Sequence, residues 1–121
     1  MEKNQNSKLY DLEDRTLAFA RNAREWIKKS PKTIANIEDC KQLARSSGSI
    51  GANYIEANEA ISKKDFAHRI KICRKEAKES VFWFKLIDVR GKPDTEDERA
   101  SLIDEGNQLM KIFSAIMRKS S

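Results

Sequence analysis

The chain is poor in the residues that punctuate a fold. Its 121 residues hold four glycines and two prolines, Pro31 and Pro93. A sheet protein with a strand every 8–12 residues or so needs many more turn signals, so helices are the expected elements. No apolar run approaches the roughly 20 residues of a membrane span, and the opening MEKNQNSKLYDLED carries no apolar leader segment. A cytoplasmic protein with no membrane partner is expected. There is one histidine, His68, and the two cysteines, Cys40 and Cys73, form no CxxC pair. Both thiols sit in helical patterns and are expected to be reduced, small apolar residues of the interior. Di-iron bundles use paired Glu-x-x-His motifs, whereas position 65, three residues before His68, is Asp. One histidine also leaves no evident Cys–His pair for nucleophilic chemistry. No catalytic residue, metal ligand or cofactor is assigned, and a non-enzyme is expected.

What the chain has in quantity is charge and helical periodicity. Charged residues make up 36% and hydrophobic ones 39%, enough for one compact domain over 1–121. The net charge is +5, concentrated unevenly: residues 63–88 carry a net +4 and residues 32–60 a net −1. Leu12, Thr16, Phe19, Ala23, Trp26 and Ser30 recur at alternating steps of four and three, one buried helical face, which ends at Ser30-Pro31. The second segment carries two stripes: Leu43, Ser47, Ile50, Tyr54, Ala57 and Ile61, and beside it the small residues Cys40, Ala44, Gly48 and Gly51 with Ile55. A helix apolar on two sides needs two partners.

Ser62 with Asp65 resembles a capping box and restarts the chain as a third helix with Phe66, Ile70, Cys73, Ala77, Phe84 and Ile87 inward. RGKPD breaks it. Asp94 or Thr95 is expected to cap a fourth helix with Leu102, Gly106, Leu109, Phe113 and Ile116 inward. Helices over about 9–30, 34–61, 63–88 and 95–119, joined by short loops, make an all-α, antiparallel up-down-up-down four-helix bundle.

Two glycines one turn apart in RSSGSIGANYIEANEA cost helix stability, roughly 0.5–1 kcal/mol each relative to Ala. GSIG has the form of the nucleic-acid-clamping loop of KH domains, but that module needs strands. The glycines are instead assigned to close packing. Ala44, Gly48, Gly51 and Ala52 leave a shallow face for a neighbouring helix or subunit.

The stretch LARSSGSIGANYIEANEAISKKDFAHRIKICRKEAKESVFWFKLI, residues 43–87, resembles the four helix bundle protein or 23S rRNA intervening-sequence protein family. Arg45, Ser49, Ile50, Asn53 and Glu56 match the family's second-helix motif, and Asp65, Phe66, Arg74 and Glu79 its third. Many members have Pro at the position of Gly51. The resemblance implies a bundle of about this length, a ring-like homo-oligomer, often a pentamer, and no known enzyme activity. The fold is also similar to the accessory variability protein of diversity-generating retroelements, a basic pentamer thought to bind nucleic acid and a reverse transcriptase. RNA, DNA, a reverse transcriptase or another protein thereby enter as partners to look for.

Three residue groups are the candidates. Lys64, His68, Lys71, Lys75 and Lys78, with Lys85 further along, recur on the third helix opposite Phe66 and Ile70, a cationic line able to follow a phosphate backbone. A ring would multiply this charge, giving weak, salt-sensitive and sequence-tolerant binding. In the hairpin of the second and third helices, residues whose numbers add to about 124 lie level. That register brings Arg45 to Glu79 and Glu56 to His68 or Arg69, polar pairs that fix it. Phe82, Trp83 and Phe84 point about 100° apart, so at least one is expected to meet another subunit, with Phe82 and Trp83 as candidates. Phe82 also lies nearest the basic stripe, where a base could stack. The expected function is an adaptor with weak RNA or DNA binding, the alternative a protein–protein scaffold with no nucleic-acid partner.

Overall fold

The computed structural model describes residues 3–120, with side chains from Leu12 onward. Met1, Glu2 and Ser121, which the single expected domain includes, lie outside the described residues. Four helices follow one another: α1 (Lys3–Lys29), α2 (Ile34–Asn58), α3 (Lys63–Leu86) and α4 (Pro93–Ser120). Each packs on its neighbour in sequence and α4 closes on α1, while the diagonal pairs α1/α3 and α2/α4 make no close backbone approach. Short connections turn each helix back on the last. The fold is an up-down-up-down four-helix bundle, with no strand among the described residues.

The boundaries have local causes. No proline or glycine interrupts residues 3–11, and α1 begins before the expected residue 9. Thr33 caps α2 by accepting from the Asn36 amide at 3.1 Å. At the other end of α2 the Glu59 and Ala60 amides bond back three residues, to Glu56 and Ala57. This tightening ends the helix at Asn58 rather than 61 and leaves Ile61 in the turn, 94% exposed, instead of on the buried stripe. Ser62 caps α3 through the Asp65 amide at 3.0 Å. The expected cap of α4 is corrected. Pro93 occupies its first turn, where a missing N–H costs nothing, so Asp94 and Thr95 fall inside the helix. Thr95 is buried, and its carbonyl accepts from the Trp26 indole N–H at 3.0 Å. Between α3 and α4, Arg90 and Gly91 both take the left-handed conformation (φ 59° and 69°).

The core follows the periodicity. Leu12, Thr16, Phe19, Ala23, Trp26 and Ser30 are all buried, and meet Leu43, Ile50, Tyr54, Ile70, Cys73, Phe84, Leu109 and Phe113. Phe84 meets Phe19 and Trp26 in T-shaped pairs at centroid separations of 6.0 and 5.1 Å. Cys73 is buried and its thiol is pushed up to about 12 by desolvation; Cys40 is only half-buried, against expectation. One end is locked by polar clamps. Asn36, buried, joins two loops by donating to the Pro31 and Asp88 carbonyls at 2.9 and 2.7 Å and accepting from the Asp88 amide. Arg99 donates to the carbonyls of Phe84 and Ile87, both at 2.8 Å, satisfying the C-terminus of α3.

Candidate functional site

The glycines of α2 show what each seam of the bundle requires. A Cβ on Gly51 would lie 2.9 Å from the Thr16 hydroxyl, so Gly51 admits the side of α1. Gly48 instead makes room for Arg24, whose guanidinium donates to the carbonyls of Ala20 and Ala44, both at 3.2 Å. The neighbour that the small stripe packs against is thus α1 of the same chain. Coverage is incomplete. A groove of about 440 Å³ runs along the α1/α2 seam over Gly48, Gly51 and Ala52. Leu17 and Ile55 stand 50% and 52% exposed at its edges, Ala52 is exposed and Ala44 half-buried.

The α3/α4 seam carries a different groove, of about 650 Å³. His68, Lys71, Arg74, Lys75 and Lys78 of α3 line it, with Met110 and Ser114 of α4. A continuing hollow on α4 adds Lys111 and Arg118. Neither lining includes a carboxylate. Lys71, Arg74, Lys75 and Lys78 make no ion pair with a described residue. Of the six residues expected on this face, all are exposed and four line the groove. Lys64 lies in the first turn of α3 and Lys85 in its last, both beyond it. Arg74, Lys111 and Arg118 are additions. Asn107, Lys111, Ser114 and Arg118 recur at steps of four, three and four, a polar stripe on α4 that sequence spacing alone could have marked.

The α2/α3 hairpin places Arg45 3.6 Å from the Glu79 carboxylate and 3.5 Å from that of Glu76. In the sequence Glu76 reads as diluting the charge of the nearby lysines, but it is buried, and its spacing from Cys73 puts it on the inner face. The expected partner of Glu56 is corrected. Arg69 donates to the Asn53 side chain at 2.9 Å, and the Glu56 carboxylate stays in solvent, where it needs no partner. Phe82 is 55% exposed on the outward face of α3, whereas Trp83 is half-buried against the core, its ring edge-on to Phe82 at 5.0 Å.

Among the described residues no group of His, Cys, Asp and Glu is arranged to hold a metal ion, and no helix is long and apolar enough to cross a membrane. What remains is a small all-α bundle presenting a groove lined by cations alone among its charges on one seam and, on another, a groove of small and apolar residues with charges of both signs. The chain belongs to the 23S rRNA-intervening sequence protein family, whose model matches residues 10–115. It is similar to a crystal structure from Bacteroides thetaiotaomicron, a protein with unknown function from the S23 ribosomal protein family. The two are 30% identical with a TM-score of 0.75, over 92% of this chain and 98% of that one. No curated protein matches it.

Proposed function

We propose that this chain is a non-enzymatic cytoplasmic homo-oligomer that binds RNA or DNA weakly, with little sequence preference, through the α3/α4 groove. The observation that carries the reading is the groove's charge: Lys71, Arg74, Lys75 and Lys78 converge with no lining carboxylate to neutralise them. Cations held at a phosphate chain release its condensed counterions, an attraction indifferent to sequence. A lone copy offers few such contacts, and repetition in an assembly supplies the rest through avidity. The half-exposed Leu17 and Ile55 support self-association through the α1/α2 seam, and the family resemblance favours a ring of five. The same two exposed side chains favour a second reading, a protein–protein scaffold with no nucleic-acid partner.

Lys71→Glu combined with Lys75→Glu separates the two readings. Gel shift at about 50 mM salt is expected to show binding by the native chain and none by the variant, with unchanged mass in light scattering. Absence of binding by the native chain leaves the scaffold reading.

A further inference from the structure

Phe82 does not belong with the small-residue seam of α2. It follows Lys71, Lys75 and Lys78 at spacings of eleven, seven and four, so it continues their stripe on the outward face of α3. Lys78, one turn before it, and Lys85, one turn after it, stand on either side, both exposed. The ring is 55% exposed. It is also propped: the half-buried indole of Trp83 meets it at 5.0 Å and 75°. An aromatic face is thus held on a rigid helix in the middle of a cationic line.

We infer that Phe82 is a stacking platform for an unpaired base, which makes single-stranded nucleic acid the preferred ligand of this face. The inference rests on the reading of the α3/α4 groove as a polyanion site. Two physical arguments select this occupant over another protein. The centres of protein–protein interfaces are depleted in lysine, and here lysines bracket the aromatic. Binding sites for single strands pair a cationic track with exposed aromatics, since every base offers a π face. A duplex buries those faces in its own stack and can use only the charge. The ligand's phosphates would run along Lys71, Lys75 and Lys78 while one base leaves the strand to lie on Phe82.

The test uses the full chain, an oligo(dT) of about 12 nucleotides, the same strand in a duplex, and inorganic polyphosphate as a polyanion without bases. Fluorescence anisotropy at about 50 mM salt is expected to show tighter binding of the single strand than of the duplex. Phe82→Ala should weaken single-strand binding roughly tenfold while leaving polyphosphate binding unchanged. Phe82→Tyr keeps an aromatic face and should restore binding, which separates stacking from a folding defect. Trp83 emission should fall on binding oligo(dT) and stay level with polyphosphate; Trp26, buried in the core, adds a constant background. Equal single-strand affinity in the native chain and Phe82→Ala overturns the stacking inference while leaving the groove reading in place. A drop in assembly mass in Phe82→Ala overturns it in favour of a subunit contact. Failure of every polyanion to bind overturns both readings.

Discussion

The α1/α2 and α3/α4 seams use the same device and present opposite surfaces. Each is closed by a glycine. Gly51 receives Thr16, while a Cβ on Gly106 would lie 2.6 Å from a Val81 methyl and 3.5 Å from the Phe19 ring. Beyond that closure the seams diverge. Around Gly48, Gly51 and Ala52 the α1/α2 groove is rimmed by Leu17 and Ile55, both half-exposed, and by charges of both signs, Glu13, Asp14, Arg21 and Arg24. Long cations line the α3/α4 groove, which lies along the seam from Gly106, between Lys71 and Lys78 of α3 and Met110 and Ser114 of α4. Close packing decides which helices meet, and the residues just outside the contact decide what the surface attracts.

Crossed variants give the largest expected effect. Reversing charge at Lys71 and Lys75 should lower nucleic-acid affinity at least roughly 100-fold, by losing two phosphate contacts and adding repulsion, and leave assembly mass intact. Leu17→Lys with Ile55→Lys should instead collapse the assembly, while monomer stability changes by less than about 1 kcal/mol because both side chains are half in solvent. Because binding draws on avidity, the disassembled variant should also bind more weakly, so the division between seams would fail if reversing charge at Lys71 and Lys75 lowered the assembly mass.

Stability effects come next, read by chemical denaturation. Gly106→Ala forces a methyl against Val81 and should cost about 1–2 kcal/mol net of the helix propensity gained. Gly51→Ala should cost about 0.5–1 kcal/mol, since Thr16 must move and its hydroxyl is bonded to the Glu13 carbonyl. Gly48→Ala meets only the mobile end of Arg24 and should be neutral or stabilising by about 0.5 kcal/mol. That ranking sharpens the comparison by showing which seam is the tighter.

The last effect, confined to alkaline pH and absent near neutrality, lies in the core both seams share. Cys73 is buried as a thiol, its pKa raised from 9.0 to about 12. A raised folded-state value means that its stability contribution is complete below pH 9 and is lost as pH climbs toward 12. Cys73→Ala should flatten that alkaline decline in denaturation curves, and native Cys73 should resist thiol reagents near neutral pH.

How much of this was legible depended on how local the cause was. The inner face of α1 could be read outright, because six residues from Leu12 to Ser30 keep strict helical spacing with no interruption. The basic line of α3 was legible for the same reason. The contribution of Lys111 and Arg118 was not, since spacing shows that they share a stripe but only packing shows that the stripe turns toward α3. The roles of Asn36 and Arg99 and the burial of Glu76 are not legible in the sequence because each is explained by a partner far away in the chain: two loops, the end of α3, and Arg45 across the hairpin. Ile61 was misplaced because the end of α2 is set by backbone bonds at Glu59 and Ala60, which no apolar pattern encodes.

Affinity of the native chain for a uridine-rich strand, followed across salt, tests the central claim most directly. With about four phosphates neutralised in the α3/α4 groove, the logarithm of affinity should fall against the logarithm of salt with a slope of about −3. The Lys71→Glu, Lys75→Glu chain should show no measurable binding at any salt. A slope near zero, or equal affinity in both chains, would contradict the account.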